Sequence, residues 1–91
     1  MHAAAPVRFV ASVSLRLGPE RGFLFDQRTG RVYSLNETAA LAAARLAAGA
    51  GAAEVEAALV DTFDVEADAA QADFARFVEQ LVEEGLVERH G

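Results

Sequence analysis

The chain changes its hydrophobic period within one short stretch, Arg31-Val32-Tyr33-Ser34-Leu35-Asn36-Glu37-Thr38-Ala39. Its first five residues are β-prone and favour a strand, whereas Asn36 is a suitable N-cap for a helix that begins at Glu37. Ser34 with Glu37 forms a competing capping box. Apolar residues recur at a period of two before this stretch and of about 3.6 after it. The sequence therefore predicts strands first and helices second.

Two further β-prone segments precede this strand. Val7–Leu17 alternates from Ser12 onward, as a half-buried strand does. Phe23–Phe25 is joined to Arg31–Leu35 by Asp26-Gln27-Arg28-Thr29-Gly30, and a turn with aspartate early and glycine last suits a type I turn that ends in a left-handed residue. The last two strands are therefore predicted to form a hairpin.

Three helices are predicted after the strands. The first runs to about Ala48 and is rich in alanine, so it must pack closely against its neighbours. The second spans about Ala52–Phe63, and its apolar face is formed by Val55, Ala58, Leu59, Thr62 and Phe63. The predicted fold class is α+β, a three-stranded antiparallel sheet followed by three helices.

The third helix has the clearest start and end signals. Asp68 is expected to cap it, Gly85 to end it in the left-handed conformation, and Leu86 to fold back onto Leu81. Its apolar positions recur at helical spacing and are Phe74, Phe77, Val78, Leu81 and Val82.

Composition points away from catalysis. A chain of 91 residues makes one domain, 1–91, with a core expected at about 7–88. There is no cysteine, and the two histidines, His2 and His90, lie at the chain ends. A thiolate site, the usual general base and the usual zinc ligand are thus missing from the interior of the sequence. We therefore expect no enzyme activity, no cofactor and no metal site.

Targeting signals are also missing from the sequence. Arg8 and Arg16 interrupt the apolar residues near the N-terminus before a signal peptide could form. No apolar run approaches the length of a membrane span. The sequence predicts a cytoplasmic protein with no membrane partner.

The net charge of −6 opposes binding to nucleic acid. Residues 52–84 hold ten acidic side chains against Arg76 alone, a net charge of −9. The second and third helices resemble a helix-turn-helix, and the strands beside them suggest a winged variety. Reading DNA requires cations for phosphates and donors for base edges, which this third helix lacks. A winged-helix transcriptional regulator is therefore the alternative, not the favoured interpretation.

One strand of the hairpin is predicted to present unpaired backbone groups. No segment after Leu35 is a candidate for a fourth strand, so one strand of the hairpin is predicted to keep an open edge. Open edges are templates for an incoming extended peptide. Phe74, Phe77 and Leu81 would form the floor of an apolar groove if the third helix lies beside that edge, although such a stripe is more commonly core.

The order of several short motifs resembles a known family. The motifs are Leu35-Asn36-Glu37-Thr38-Ala39, Gly49, Leu59 with Phe63, Asp73-Phe74 with Phe77-Val78 and Leu81, and Gly85-Leu86-Val87. The segment Phe23–Val87 thereby resembles the PqqD-like family, the RiPP recognition elements. The stretch from Asp26 to Thr38 is especially similar to the discrete recognition proteins of lasso-peptide clusters. Two features depart from the family pattern: Gly49-Ala50-Gly51-Ala52 replaces an aspartate-glycine and a serine or threonine cap, and alanines replace bulky residues in the first helix.

The resemblance implies a winged-helix-like α+β fold and a peptide partner. In such domains the leader segment of a precursor peptide adds as a strand between the third strand and the third helix, and it is presented to a modifying enzyme or a leader protease. Arg31 and Arg76 would then be able to pair with leader carboxylates. The implied peptide-binding residues are Arg31, Val32, Tyr33, Ser34 and Leu35 on the strand and Asp73, Phe74, Arg76, Phe77, Gln80 and Leu81 on the helix.

Overall fold

A computed structural model describes residues 7–89, so the two histidines of the sequence lie outside the described residues. The elements are β1 (Val7–Phe9), β2 (Val13–Leu17), β3 (Gly22–Asp26), β4 (Arg31–Leu35), α1 (Glu37–Ala47), α2 (Ala52–Phe63), α3 (Ala67–Glu83) and β5 (Val87–Arg89). The predicted α+β architecture is confirmed, with strands β2 to β4 followed by three helices. None of the helices in this part of the chain is long and apolar enough to cross a membrane.

The three-stranded antiparallel sheet has the order β2-β3-β4. The predicted hairpin is formed by β3 and β4, which pair from Asp26 opposite Arg31 to Gly22 opposite Leu35. Gly30 closes its turn at φ +76°, and its N–H donates to the Asp26 carbonyl at 2.8 Å. A left-handed glycine at the end of this turn was the sequence prediction, and it is confirmed.

The segment from Val7 to Leu17 is not one strand, as the sequence had suggested. It is broken after Phe9, and β1 pairs with β5 in a separate two-stranded sheet in which Val7 lies opposite Arg89. The N–H of Val10 donates to the Leu86 carbonyl, and the N–H of Val13 donates to the Val10 carbonyl, both at 3.0 Å. The regular alternation that identifies a strand begins only at Ser12, where the turn ends.

A buried aspartate organises the turn between β3 and β4. The Asp26 side chain is almost wholly buried and accepts hydrogen bonds from the Ser12 hydroxyl and from the backbone and guanidinium of Arg28. The Arg28 guanidinium lowers the pKa of the Asp26 carboxyl, because its hydrogen bonds favour the charged form. Arg28 Nη2 also donates to the Gly85 carbonyl at 2.9 Å, which ties the turn to the end of α3.

Two of the helix ends agree with the sequence. Asn36 Oδ1 accepts from the Ala39 N–H at 2.9 Å, so Asn36 and not Ser34 caps α1. At the end of α3, Gly85 has φ +74° and the N–H of Leu86 donates to the Leu81 carbonyl at 3.0 Å, which completes the predicted Schellman motif.

Two expectations about the helices are wrong. The N-cap of α3 is Glu66, which makes no side-chain capping bond, and Asp68 lies inside the first turn. An aspartate is favourable there as well, because it faces the positive end of the helix dipole. On α2, Thr62 is exposed and does not belong to the buried face, which centres on Val55 and Leu59.

The alanine-rich helix α1 lies at the centre of the core. Ala40, Ala42 and Ala43 are buried, and a Cβ built on Gly22 of β3 would lie only 3.2 Å from the Ala40 Cβ. The close packing predicted from the small side chains is therefore confirmed. It leaves α2 and α3 free to pack together on the other side of α1, with α3 beside the end of the β3–β4 hairpin.

Candidate peptide-binding site

Strand β4 is an edge strand of its sheet: among residues 7–89 it pairs with β3 on one side and with no strand on the other. The sequence predicted no strand after Leu35, and this is wrong: the short strand β5 follows, but it pairs with β1. The predicted open edge is therefore confirmed for the described part of the chain. Such an edge carries unpaired backbone donors and acceptors.

The hydrogen bonds of β3 determine which groups of β4 point to that edge. Two hydrogen bonds continue the β2–β3 register just beyond the strand ends. The N–H of Gln27 donates to the Ser12 carbonyl at 3.0 Å, and the N–H of Gly18 donates to the Arg21 carbonyl at 2.7 Å. Residues of β3 at odd positions therefore bond to β2, and because backbone groups of a central antiparallel strand alternate in direction, those at even positions bond to β4. Their partners in β4, including Tyr33, are turned inward. The N–H and C=O groups of Val32 and Ser34 are turned outward.

A cleft of about 290 Å³ lies between α3 and the start of α1. Five of the six predicted helix positions line it, namely Asp73, Phe74, Arg76, Phe77 and Gln80. Phe74 is almost wholly buried and Phe77 half-buried, so their rings provide an apolar floor. The sixth position, Leu81, is 3% exposed and lies in the core, where it can act only by supporting the residues above it.

The remaining lining residues were missed from the sequence. They are Asn36, Thr38, Ala39 and Ala42 at the start of α1 and Leu59 on α2. A signal was present, because Asn36, Thr38 and Ala39 belong to the motif that carried the family resemblance. Helical periodicity assigns the alanines to the core, and it says nothing about a cleft beside them.

None of the predicted residues of β4 lines the cleft, although Leu35 directly precedes Asn36, which does. Arg31, Tyr33 and Leu35 share the inner face of the sheet, where Leu35 is buried. Val32 and Ser34 share the outer face, and Val32 is 61% exposed. The strand therefore contributes mainly its backbone edge, whereas α1 and α3 contribute side chains.

The two arginines of the site already have partners. Arg31 Nη1 lies 3.6 Å from Glu84 Oε1, and Arg76 Nη1 donates to Asp73 Oδ1 at 3.2 Å. All four side chains are about half exposed or more. Exposed ion pairs contribute only ~0–1 kcal/mol, so an incoming carboxylate can take the place of Asp73 beside Arg76 at little cost.

The site combines three features that suit an extended peptide: an open backbone edge, an apolar floor and a polar rim. Asn36, Thr38 and Gln80 supply neutral hydrogen-bonding groups, and Arg76 and Asp73 supply charges. Within residues 7–89, histidine, cysteine, aspartate and glutamate side chains nowhere form a group of three or more able to hold a metal ion.

Comparison with known proteins finds solved structures of the same fold. A solved structure described as "Lasso peptide synthetase B1 complexed with the leader peptide" is 34% identical, with a TM-score of 0.80, and the alignment covers 91% of this chain and 98% of that one. Another, "TbiB1 in Complex with the TbiA(beta) Leader Peptide", has a TM-score of 0.84 over 92% of this chain and 98% of that one, and at 18% identity it shows the shared fold alone.

A search of curated proteins found no match. The family described as "Coenzyme PQQ synthesis protein D (PqqD)" matches residues 21–87, which include β3, β4, all three helices and every residue of the cleft. Because this match covers well over half of the sequence, the chain belongs to the PqqD family.

Proposed function

We propose that this protein binds the leader segment of a ribosomally made precursor peptide by strand addition and presents it to modifying or processing enzymes. The observation that carries the proposal is the open edge of β4, with the backbone groups of Val32 and Ser34 directed outward. The protein's role is binding, and the chemistry is left to the enzyme. Since ribosomal precursors are made in the cytoplasm, the proposal places the protein there.

The backbone edge sets the register of the bound leader. Val32 and Ser34 each offer one N–H and one C=O group, which suits two hydrogen-bonded pairs with an antiparallel strand. Each such bond contributes a net ~0.5–1.5 kcal/mol. Because a leader that is disordered when free must be ordered on binding, part of this gain is lost and the affinity is moderate.

The cleft supplies selectivity. Side chains of an added strand alternate between the two faces of the sheet, so every second leader residue faces α3. An apolar leader side chain would rest on Phe74 and Phe77, with Arg76 and Gln80 at the rim. Support comes from the 34%-identical synthetase B1, whose structure is described as a complex with its leader peptide.

Presentation to an enzyme requires a second surface, and the outer face of the sheet is available. Phe23 and Phe25 are each 37% exposed there, and Phe25 lies opposite Val32 on the neighbouring strand. Outer faces of antiparallel sheets are ordinarily polar, so two adjacent phenylalanines indicate a contact surface. A leader strand beside β4 would extend this face, which makes it accessible to an enzyme that acts on the bound precursor. Precursor processing that is unchanged by Phe25→Ser would argue against this face.

The alternative of a winged-helix DNA-binding regulator is not supported. The exposed side chains of α3 include Asp68, Glu79 and Glu83, which would repel a phosphate backbone. The 34%-identical solved structure is described as a complex with a leader peptide.

Proline substitutions at the two sheet edges test the proposal. Ser34→Pro removes an outward N–H from β4, and Leu17→Pro removes one from β2, the opposite edge, where Leu17 is exposed. We expect both proteins to fold, because neither N–H is used within the sheet. Only Ser34→Pro is expected to raise the Kd, by roughly two- to tenfold for one lost hydrogen bond.

The probe is a fluorescently labelled copy of the leader peptide bound by the 34%-identical synthetase B1, with circular dichroism as the check of folding. Arg76→Glu, which alters the rim of the cleft and leaves the core intact, is expected to change the Kd as well. A folded Ser34→Pro protein that binds like the parent would place the peptide site elsewhere.

A further inference from the structure

Glu84 is the C-cap residue of α3 and directly follows its last helical residue, Glu83. We propose that Glu84 holds α3 at a fixed separation from β4. It thereby sets the width of the groove, by which we mean the space between β4 and α3 that the leader strand would enter. This inference rests on the proposed peptide-binding function. It concerns a residue that touches neither the cleft nor the outward backbone groups of β4.

The Glu84 carboxylate contacts two residues of β4. Its Oε1 accepts a hydrogen bond from the Tyr33 hydroxyl at 3.2 Å and lies 3.6 Å from Arg31 Nη1. Arg31 and Tyr33 are two residues apart and so lie on the same face of the strand, on either side of Val32. One carboxylate therefore spans the part of β4 whose central residue points its backbone groups to the open edge.

The backbone beneath Glu84 is well fixed. The N–H of Glu84 donates to the Gln80 carbonyl, and the Schellman motif formed by Gly85 and Leu86 follows directly. Arg28 donates a hydrogen bond to the next carbonyl, that of Gly85, and a second one to the buried Asp26 carboxylate. Because this second contact holds only the turn, Glu84 is the residue through which the strand itself is joined to the end of α3.

Among residues 7–89, side-chain contacts hold β4 and α3 together at the C-terminal end of the helix. In the part of the chain that the structure describes, the side-chain hydrogen bonds and ion pairs between β4 and the end of α3 all involve Glu84. The cleft lies toward the other end, beside Asn36 and Thr38, where α1 begins. An added strand needs about 4.8 Å of lateral space beside β4, so the tie determines whether that space is kept before the leader arrives. A groove held ready in this way spares the protein part of the ordering cost of binding.

Because Glu84 also pairs with Arg31, it has a second conceivable role, competition with the leader, which predicts the opposite change in Kd. If Glu84 only competed with the leader for Arg31, its removal would free the arginine and tighten binding. If Glu84 positions α3, its removal lets the groove widen and weakens binding. The two roles differ in the sign of the change in Kd.

The test compares Glu84→Ala with Glu83→Ala. Both substitutions remove one exposed acid from the same helix end, but the Glu83 side chain makes no hydrogen bond or ion pair among residues 7–89. With the labelled leader described above, we expect Glu84→Ala to raise the Kd by about three- to tenfold and Glu83→Ala to leave it within twofold. Both proteins should keep the circular dichroism spectrum and melting temperature of the parent to within a few degrees, because surface substitutions of this kind change stability little.

Two further variants separate positioning from charge. Glu84→Gln keeps an acceptor for the Tyr33 hydroxyl and is expected to restore part of the affinity. Tyr33→Phe combined with Glu84→Ala should bind no more weakly than Glu84→Ala alone, since the hydroxyl that Tyr33→Phe removes has already lost its partner. Equal Kd values for the Glu84→Ala and Glu83→Ala proteins, or tighter binding by Glu84→Ala, would overturn the inference. A parent protein that does not bind any leader would instead overturn the proposed function.

Discussion

Gly85 performs two tasks at the end of α3. Its φ of +74° reverses the chain, so that Leu86 returns to the core, where it is 1% exposed. Its carbonyl accepts a hydrogen bond from the Arg28 guanidinium, which connects the helix end to the β3–β4 turn. The residue therefore fixes both the last turn of the helix and the place where the hairpin meets it.

Gly85→Ala is expected to lower the free energy of unfolding by about 1 kcal/mol. A Cβ at this position would meet the Arg28 Nη2 atom at 3.8 Å, an ordinary contact, so the cost comes from backbone strain and not from a clash. Gly85→Asn should lose less, because asparagine tolerates the left-handed conformation better than alanine. Urea unfolding of the three proteins measures the difference, and an alanine variant as stable as the parent would mean that the strain is absent.

The residues that cap the helices could be predicted from the sequence only where a single position met the requirements of the cap. Asn36 and Gly85 were predicted correctly because a cap side chain before a helix and a glycine after it have specific backbone requirements. Asp68 was assigned to the wrong position, since aspartate is favourable both as a cap and within the first turn. Glu84 could not be identified at all, because its partners Arg31 and Tyr33 are more than fifty residues away in the sequence.

Among the elements, β1 and β5 were the hardest to foresee. Each has three residues, too few for a periodic pattern, and they pair across almost the whole length of the described chain. By contrast, the hairpin and the three helices have local turn and period signals. The open edge of β4 was predicted correctly, although the reason given for it was wrong, because β5 does follow and leaves the edge open only by pairing with β1. The cleft residues of α1 were missed because alanines predict close packing but not a neighbouring space.

The small sheet of β1 and β5 contributes to the core and not to the peptide site. Val7 is wholly buried, so Val7→Ala should lower the free energy of unfolding by about 2 kcal/mol through lost apolar burial and the space left behind. Arg8→Ala is the matched control, because its ion pair with Glu88 is exposed and worth at most ~1 kcal/mol. Leader affinity of the folded fraction should be unchanged in both, and a weakened Kd for Val7→Ala would connect this sheet to the groove.

At the scale of the whole molecule, charge is divided between the two halves. The acidic side chains are concentrated on α2 and α3, and the sheet half carries most of the arginines. A field of this shape repels polyanions from the helices and leaves the hairpin side available to acidic partners.

We expect no appreciable binding to duplex DNA at physiological salt, because the helix that would enter the groove of DNA carries a strongly negative surface. A gel-shift titration with random-sequence and promoter-derived duplexes measures this. Retention that is tight, depends on sequence and falls steeply with added salt would contradict the peptide-binding proposal and favour the regulator.

The pairing of β1 with β5 has a topological consequence. Val7 and Arg89 lie directly opposite each other, so the path of the backbone nearly closes on itself at a place that contributes no residue to the cleft. A short linker from residue 89 to residue 7 would make the chain a ring, and the ring could be opened anew in the loop between α1 and α2. Such a circular permutant should keep its contacts and its leader affinity. For the same reason the fold can be inserted as a cassette into a loop of a larger enzyme, with its two attachment points side by side and the peptide groove still facing outward.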